Sequence, residues 1–504
     1  MKGARALGLF LALALALAGC AGPRSEQHLA PLYTHVSTVG GGEEYEALGG
    51  AVIARRDELG APFSQWGLRP LFLHYPDRDG RSKSQFLYPL GKVDRGDGEF
   101  NWWLLPIVDY RRETRPEGQK WQLLALPGLY FARFPDGRRA SAWFPFGGTM
   151  VEQFTFDEVE FVLWPLYMRT VQQGRTSYHF PFPFLMYRYG PDGGGWRVWP
   201  LLGHSWVDER YDRWFAVWPI FNFNDENLKS SPRYHESQWS MFPVYGYRSQ
   251  GTWSSHAVLW PFFGYASDSQ TGFWAFDGPW PLVRLQFPGE ERLALLPNKQ
   301  GANKRIRFWP FWSYYEGDGL VSRWYAWPLV NVRSEDYEDG HRDAFTFVPF
   351  WSQWKRRYDD GPTRSFRKLW PVFQYERTGE TRSYLFPQLS PFWYWPDLDE
   401  HYAWIYALYA ADHGPEVTKE NVLWGLWRRE HDVDEERTYV SGLWSRRAYS
   451  QGGDEVSEHS LLFGLLRWRS NARTGLSLLP PALPGPGWPV ERVPRSTETE
   501  EGSR

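Results

Sequence analysis

Five nearly identical phrases decide the fold of this chain: Leu163-Trp-Pro-Leu-Tyr167, Val217-Trp-Pro-Ile-Phe221, Leu259-Trp-Pro-Phe-Phe263, Phe308-Trp-Pro-Phe-Trp312 and Leu369-Trp-Pro-Val-Phe373. Weaker copies, each centred on a Pro or on a Gly in its place, extend the pattern from Pro31 to Pro480. The mean spacing is about 19 residues, which is the signature of a repeat architecture. Every unit then makes similar contacts with its neighbours, so the repeat defines the architecture before any local structure is considered.

The repeat weakens at two places in the second half of the chain. One short unit, centred on Pro297, lies between Pro281 and Pro310. Between Pro387 and Gly425 the phrase fades, and a unit there is indicated by spacing alone. We expect any specialised function to lie in these units or in charged residues beside the repeat.

Strand formers surround each Pro, and turn formers lie between them. Trp, Phe, Tyr, Val, Leu and Ile are typical of strands. Stretches such as Asp77-Arg-Asp-Gly80 and Glu316-Gly-Asp-Gly319 supply the positive φ of tight hairpins. No stretch beyond the N terminus combines a 3.6-residue apolar period with caps. The sequence therefore predicts an all-β protein, in which tandem repeats of about 19 residues form a large antiparallel β-meander, barrel-like or superhelical.

The position of the Pro predicts a distorted sheet. Pro cannot donate a ladder hydrogen bond and is usually confined to sheet edges, strand starts and bulges. Because a Pro or Gly falls near the centre of each predicted strand, we expect a row of bends across the sheet. Both faces are apolar around Pro310, where Trp309 and Phe311 alternate with Phe308 and Trp312. We therefore expect the strand centres to be covered on both sides.

Two other architectures remain as alternatives. A β-propeller buries both faces of each blade, but this repeat predicts about twelve blades, more than the usual range of about 4–8. An outer-membrane β-barrel also repeats at about this length. A Pro in most strand centres leaves unpaired backbone groups in the bilayer, where they are costly.

Composition excludes several classes of function. The 504 residues include 18% aromatic and 23% charged residues, with a net charge of −3 and one Cys. A near-neutral balance argues against general nucleic-acid binding. A single Cys rules out an intrachain disulfide and thiolate metal clusters.

The N terminus has the features of an export signal. Lys2 and Arg5 precede a short apolar run, which ends in Leu17-Ala-Gly-Cys20. That ending resembles the lipobox of bacterial lipoproteins. The resemblance implies cleavage before Cys20, lipid attachment to Cys20 and anchoring in a membrane. Ala21 in place of Asp implies sorting to the outer membrane.

The domain boundaries follow from the signal and the repeat. We expect a signal peptide over residues 1–19, a lipidated tether over 20–30, a repeat domain over 31–480 and a disordered tail over 481–504. The repeat domain resembles tandem aromatic Trp-Pro β-repeat proteins with no assigned activity.

No motif for catalysis, metal binding or a cofactor is found. The chain has no Gly-x-Ser-x-Gly elbow, phosphate-binding Gly loop or dinucleotide fingerprint. Its twelve His form neither His-x-His nor His-Glu-x-x-His. We therefore predict a protein that is not an enzyme and has no catalytic residue, no metal site and no cofactor.

Cations recur a few residues after the repeat positions. Equal offsets in a repeat place residues in one row, and a cationic row suits phospholipid headgroups or an anionic glycan. The competing interpretation is a set of solvated strand ends, offset by acidic residues in the turns. The candidate row comprises Arg111, Arg112, Arg169, Arg188, Arg248, Arg333, Arg377, Arg428, Arg429, Arg446 and Arg447.

The most direct functional expectation is a non-enzymatic envelope lipoprotein that acts as a scaffold or binding surface. The membrane is its expected partner through Cys20, with a lipid, a glycan or an envelope protein as further partner, and no nucleic acid. Three alternatives remain: a carrier of lipid or another hydrophobic ligand, a surface glycan binder, and an outer-membrane pore.

Overall fold

The computed structural model describes residues 26–37, 42–57, 61–76, 81–229, 234–289 and 303–482. Within them lie forty-five strands, one α-helix and one short 3-10 turn, so the all-β prediction is confirmed. The chain divides into two compact units. Unit 1 contains the chain up to Asp94, Phe350–Gln353 and the chain from Gly361, whereas unit 2 contains Arg95–Pro349 and Trp354–Asp360.

The strands of each unit follow one another closely in the chain. Unit 1 begins with β1 (Gln27–Leu29), β2 (Tyr33–Ser37), β3 (Glu43–Ala47), β4 (Val52–Arg56), β5 (Gln65–Leu68), β6 (Phe72–Pro76), β7 (Ser82–Phe86) and β8 (Gly91–Gly96). Its second part contains β35 (Arg364–Leu369), β36 (Phe373–Thr378), β37 (Thr381–Phe386), β38 (Tyr409–His413), β39 (Thr418–Val422), β40 (Trp427–His431), β41 (Glu435–Val440), β42 (Trp444–Gln451), β43 (Asp454–Leu461), β44 (Leu466–Asn471) and β45 (Gly475–Leu479).

Unit 2 contains the longer uninterrupted series of strands. They are β9 (Glu99–Leu104), β10 (Val108–Arg115), β11 (Gly118–Ala125), β12 (Leu129–Arg133), β13 (Arg139–Trp143), β14 (Gly147–Gln153), β15 (Phe156–Val162), β16 (Tyr167–Gln172), β17 (Arg175–His179), β18 (Leu185–Gly190), β19 (Gly193–Val198), β20 (Leu202–Val207), β21 (Tyr211–Ala216), β22 (Phe221–Glu226), β23 (Glu236–Met241), β24 (Tyr245–Gln250), β25 (Trp253–Val258), β26 (Phe263–Asp268), β27 (Trp274–Asp277), β28 (Val283–Phe287), β29 (Lys304–Phe308), β30 (Trp312–Gly317), β31 (Leu320–Tyr325), β32 (Val330–Tyr337), β33 (Gly340–Phe347) and β34 (Trp351–Tyr358), the last of which also enters unit 1.

The strands form antiparallel meanders, as the repeat predicts. Successive strands pair from β1 to β7 and from β35 to β45 in unit 1. In unit 2 they pair from β9 to β33. No pair among these described strands joins the ends of a run, and the ladder of unit 2 is not divided into blades. The meander is therefore preferred over the closed barrel and the propeller.

The Pro residues lie in turns, not in strand centres, and this expectation from the sequence was wrong. Pro106 lies between β9 and β10, Pro219 between β21 and β22, and Pro310 between β29 and β30. Each repeat therefore contains two short strands joined by a Pro turn. Polar turns close the other end of each hairpin, as Gly251 and Thr252 do between β24 and β25. Since turns alternate between the two edges of a meander, the Pro turns share one edge and the polar turns share the other.

Pro and Gly occupy the same position of equivalent turns. Ile107 N–H donates to Leu104 C=O at 2.6 Å across a cis Leu105-Pro106 bond, the pattern of a type VI turn with Pro at its third position. The equivalent bond runs from Leu426 N–H to Leu423 C=O at 3.1 Å, with Gly425 at the third position. Gly425 has φ of +83°, which Gly adopts without the penalty that a Cβ imposes.

An α-helix that the sequence does not predict interrupts unit 1. Helix α1 (Pro396–Tyr406) lies in the region where the repeat fades, and it begins with Pro396 and acidic residues in its first turn. Tyr402 donates from its hydroxyl to Tyr88 C=O at 2.6 Å, and the Tyr88 ring stacks on His401 at 4.5 Å. The helix therefore covers the Pro turn next to Tyr88, so contacts with the sheet compensate for its weak amphipathic pattern.

Unit 1 joins its N-terminal and C-terminal strands through buried charges. Arg437 on β41 lies 2.6 Å from the Glu26 carboxylate and donates to Ser37 C=O on β2 at 2.7 Å. The Tyr439 hydroxyl donates to the same carboxylate at 2.9 Å. Glu26, Arg437 and Tyr439 are all buried, so the core between these strands is polar as well as apolar.

The described part of unit 1 begins inside the predicted tether. Glu26, Gln27 and His28 are buried, and Gln27–Leu29 forms β1. The remainder of the tether, the signal peptide and most of the predicted C-terminal tail lie outside the described residues. Residues 26–30 are therefore part of the folded unit.

The most enclosed apolar cluster lies in unit 2, between β12 and β15. Tyr130, Phe134 and Phe161 are each nearly inaccessible to solvent. The Tyr130 hydroxyl reaches across β13 and donates to Val151 C=O at 2.9 Å. This cluster fixes one part of the meander, beyond which the strands of unit 2 are far more open.

Candidate ligand-binding surface of unit 2

The edge formed by the Pro turns of unit 2, from residues 105–107 to 326–329, is an exposed apolar strip that we call the Pro edge. Phe311 is 75% exposed and Trp260 is 58% exposed. The expectation that the residues around each Pro are covered on both faces was therefore wrong. These residues occupy hairpin tips, where the sheet itself provides little cover. Further exposed members of the strip are Leu105, Ile107, Leu126, Phe146, Leu163, Leu166, Leu201, Trp218, Leu259 and Trp327.

The turns of the Pro edge are bonded to one another. Trp218 N–H donates to Pro200 C=O at 2.6 Å, and Trp327 N–H donates to Pro310 C=O at 2.7 Å. Their rings also meet: Trp199 and Trp218 have centroids 5.8 Å apart, and Trp309 and Trp327 are 6.1 Å apart. The strip is thus held in place by the backbone ladder.

One face of the sheet carries aromatic side chains in register, and we call it the aromatic face. Tyr187 pairs with Trp196, and Trp214 pairs with Phe223, so each partner projects from the same face. The same row continues through Trp239, Tyr247, His256, Tyr265 and Phe276. Tyr187 is 60% exposed, and no described element of unit 2 packs over this row.

The opposite face carries small residues at the same level, and we call it the groove face. Gly203, Ser240, Gly246, Ala257 and Gly264 lie on it in register. Their small side chains leave two neighbouring grooves next to the Pro edge. The first has a volume of about 370 Å³ and is lined by Met186, Arg197, Trp199, Gly203, Ser205, Arg213, Phe215, Trp218, Asn222 and Asn224, among others. The second, of about 360 Å³, is lined by Ser240, Tyr245, Arg248 and Trp260, among others.

The candidate cations of unit 2 do not form one row. Arg188, Arg248 and Arg333 follow their Pro by the same offset, and the register places them on the groove face. Arg111 also lies on the groove face. It pairs with Gln122 on the next strand, and Gln122 in turn pairs with Ala132. Arg112 and Arg169 lie on the aromatic face. Side chains alternate between faces along a strand, so a change of one residue in the offset moves a cation to the other face.

Most of these unit 2 cations have an acidic partner. Arg111 contacts Asp109 at 2.8 Å. Arg169 contacts Glu158 and Arg248 contacts Glu236, both at 2.7 Å.

The other three members of unit 2 differ in their partners. Arg333 contacts Glu335 at 2.7 Å. Arg112 lies over the Phe100 ring at 5.4 Å. Arg188 donates to the Ser177 hydroxyl at 2.8 Å and the Tyr211 hydroxyl at 3.1 Å, which are neutral partners.

The unit 1 cations belong to ion pairs or strand ends. Arg428 is buried between Glu44 and Glu430, and Arg447 is buried with Glu435 at 2.5 Å. Both residues therefore stabilise the core and do not face solvent.

The remaining unit 1 cations are more accessible. Arg429 and Arg446 share Glu436, at 2.9 and 3.8 Å. Arg377 donates to Gly379 C=O at 2.8 Å. Most of the set thus has an acidic partner, but these partners lie on strands and not in the turns that the competing interpretation of the sequence named, and two members are buried.

Electrostatics distinguish the first groove from the second. Arg197 donates to His179 Nδ1 at 3.5 Å, and its buried Nε has no hydrogen-bond partner. Burial, followed by the charge of Arg188, lowers the pKa of Arg197. Burial, then Arg197 and Arg188, lowers the pKa of His179 to about 4, so this imidazole is neutral at pH 7. The first groove is therefore lined by an Arg without an acidic partner, Arg197, whereas the Arg of the second groove, Arg248, is paired with Glu236.

Other kinds of site are not indicated in the described residues. No group of three or more His, Cys, Asp or Glu there is arranged to hold a metal ion. No α-helix in the described part of the chain is long and apolar enough to cross a membrane. Cys20, the predicted lipid attachment site, lies outside the described residues.

The comparisons with known proteins give no family. No family model and no curated protein matches this chain. The geometry of the surface is therefore the basis for a functional proposal.

Sequence reasoning missed Arg197 and His179. Arg197 precedes Pro200 by three residues, whereas the predicted row lies after each Pro. Gly193-Gly-Gly195 is part of β19, where it pairs with residues of β18 and β20. Side chains at every second residue on both sides of each Pro share one face of the sheet, and this alternation is the sequence signal that indicates the groove face.

Proposed function

We propose that this protein is a membrane-anchored, non-enzymatic lipoprotein of the cell envelope, and that unit 2 is its binding surface for lipid or another hydrophobic ligand. The observation that carries the binding proposal is the Pro edge, an apolar strip that continues over successive turns. The anchor rests on the lipobox, which ends at Cys20.

The area of the strip supports a binding role. Six Trp of the edge, at positions 164, 218, 260, 280, 309 and 327, are between 38% and 58% exposed. A Trp side chain contributes up to about 250 Å², so these six rings alone expose on the order of 600 Å². The largest apolar patch on a typical monomer is about 300–600 Å², and larger patches mark interaction sites. Exposed Leu and Phe of the strip add to this area.

The chemistry of the strip favours an acyl chain over a glycan. Sugar rings are bound by stacking on open aromatic faces together with nearby hydrogen-bonding groups. Here the rings are tilted against one another, at 48° for Trp199 and Trp218 and 53° for Phe242 and Trp260. Leu163, Leu201 and Leu259 are exposed on the same edge, and their side chains offer no hydrogen bonds. An aliphatic chain gains most from such a surface, because its burial needs only apolar contact.

A direct binding experiment tests the proposal. The full chain with Cys20→Ser, which removes the predicted lipid, is mixed with vesicles of phosphatidylcholine brominated along one acyl chain. Bromine quenches Trp fluorescence on contact, so we expect quenching that saturates with lipid. If the protein is not quenched and also binds no labelled fatty acid, the binding proposal is wrong.

A matched pair of variants locates the contact. Leu259→Ser with Trp260→Ser alters one Pro turn, and we expect at least a fivefold weaker apparent affinity. Leu228→Ser replaces a Leu of similar exposure on the polar edge, and we expect less than a twofold change. Equal effects of the two variants would contradict a site at the Pro edge.

The anchor has its own test. The unmodified chain should incorporate labelled palmitate and sediment with the outer membrane, and the Cys20→Ser variant should do neither. A variant that still incorporates palmitate would show that the lipobox interpretation is wrong.

A further inference from the structure

The first groove has chemistry that the apolar strip alone does not explain. We propose that it binds the anionic headgroup of an amphiphile, a phosphate or a carboxylate, whose apolar chain continues onto the Pro edge. This inference rests on the proposed binding function and names the class of ligand for one part of the surface.

Two arginines meet on the groove face here. Arg188 on β18 is directly opposite Gly195 on β19, and Arg197 follows two residues later on the same face. The two side chains therefore belong to diagonal neighbours across adjacent strands, and the positive charge of Arg188 acts on Arg197. Gly195 and Gly203 carry no side chains, and the Phe215 ring packs over Gly203.

The charge of this pair is not compensated within the described residues. Arg188 donates only to hydroxyl groups, and Arg197 contacts only a His that is neutral at pH 7. The other arginine that lines the groove, Arg213, is paired with Glu226 at 2.6 Å. Of the two lining arginines, only Arg197 therefore lacks a carboxylate partner, and its buried Nε has no hydrogen-bond partner. Guanidinium binds phosphate and carboxylate through two parallel hydrogen bonds, which would satisfy this donor.

The apolar wall of the groove is the Pro edge itself. Trp199 and Trp218 line the groove together with Met186 and Phe215. A headgroup at Arg197 therefore has a continuous apolar path for its chain. A volume of about 370 Å³ lies within the range of small-molecule sites.

The second groove provides a natural comparison. It has nearly the same volume, also borders on Pro turns and has one lining Arg, Arg248. Arg248 is paired with Glu236 at 2.7 Å. The second groove therefore has no lining Arg without an acidic partner, in contrast to Arg197 in the first.

The test uses the full chain with Cys20→Ser and isothermal titration with dihexanoyl phosphatidic acid, dihexanoyl phosphatidylcholine, hexanoate and inorganic phosphate. We expect the phosphatidic acid to bind at least tenfold more tightly than phosphatidylcholine. Arg197→Gln should weaken the binding of phosphatidic acid at least tenfold and the binding of phosphatidylcholine less than twofold. Arg197→Lys keeps the charge and should restore part of the affinity, which also shows that loss of binding is not loss of folding.

Further variants and ligands separate the possible failures. Arg248→Gln removes a positive charge that is paired with Glu236. This variant should change the affinity for either lipid by less than twofold. If both lipids bind and Arg197→Gln changes neither affinity, the proposal of a headgroup site is wrong and the proposed lipid surface stands. If neither lipid binds to the parent chain, both proposals fail. If inorganic phosphate binds as tightly as phosphatidic acid, the site is one for free phosphate and the role of the Pro edge in it is wrong.

Discussion

Units 1 and 2 use the same repeat and both expose apolar residues at their Pro turns, as Leu71 and Phe311 do, yet the buried ion pairs are concentrated in unit 1. In unit 1, N-terminal and C-terminal strands pack together around Glu26 and Arg437, and α1 covers the turn beside Tyr88. In unit 2, the Pro edge and the aromatic face have no covering layer among the described residues of that unit. The repeat supplies strands and turns, whereas residues outside the repeated phrase decide what becomes buried.

The largest expected effect is the removal of a buried charge from unit 1. Arg437→Met leaves Glu26 buried without its cation, and losing one partner of a buried pair costs about 3–5 kcal/mol. We expect hydrogen exchange of β1, β2 and β41 under mild denaturant to show this loss of unfolding free energy. Arg333→Met breaks an exposed pair in unit 2 and should cost about 1 kcal/mol or less. Similar losses of stability from Arg437→Met and Arg333→Met would contradict this difference between the two units.

Acid should weaken unit 1 through His28. Burial, together with the charge of Arg428, lowers the pKa of His28 to about 3, against an ordinary value of 6.5. The unfolded chain then takes up a proton that the folded chain does not, so stability falls as the pH drops from about 6.5 towards 3. This difference in pKa lowers the free energy of unfolding by about 4 kcal/mol at the acidic end of that range.

The control for acid is His28→Gln, measured by hydrogen exchange of unit 1 at pH 6.5 and pH 4.5. The His28 ring donates from Nε2 to Gly425 C=O at 2.8 Å, and the amide of Gln replaces that donor without a proton equilibrium. Its stability should depend less on pH than that of the parent chain. The Glu44 carboxylate, whose pKa is held low by Arg428 despite its burial, adds a loss of the same sign in both proteins. Parallel pH profiles would contradict the role of His28.

The smallest expected effect on stability is at the Pro edge. Phe311→Ser changes a side chain that is 75% exposed, so we expect a change in unfolding free energy within about 0.5 kcal/mol. Phe366→Ala in unit 1 removes a fully buried ring and should cost about 3–5 kcal/mol. Urea unfolding monitored by hydrogen exchange in each unit gives both numbers. A large cost for Phe311→Ser would show that the strip is needed for folding and not free for a ligand.

The position of Pro shows a limit of reasoning from apolar periodicity. Strands that enter and leave a Pro turn are both apolar near the Pro edge, so the sequence around Pro310 forms one continuous apolar run. Such a run is equally consistent with one strand that has a Pro at its centre and with two strands joined at the Pro. The contact between Phe311 N–H and Phe308 C=O, at 2.9 Å, is what makes it a turn.

Helix α1 shows a second limit. Pro396 and Asp397 are ordinary residues for a helix start, but the segment has no regular apolar stripe that would predict a helix. Its contacts come from residues about three hundred positions earlier, such as Tyr88, which accepts a hydrogen bond from Trp395 Nε1 at 2.8 Å. The candidate site has the same limit, because the separation of paired and unpaired arginines depends on which acidic residues lie within reach.

The sequence alone determined the all-β class, the antiparallel meander and the row of Pro and Gly, because these follow from short-range chemistry that recurs along the chain. Its N-terminal residues also motivate the prediction of a lipid anchor at Cys20. Only the tertiary structure decided that Pro lies at hairpin tips, that Arg428 is buried while Arg197 lines a groove, and that the buried ion pairs are concentrated in one unit. These outcomes depend on register and on long-range packing, where a shift of one residue moves a side chain to the other face.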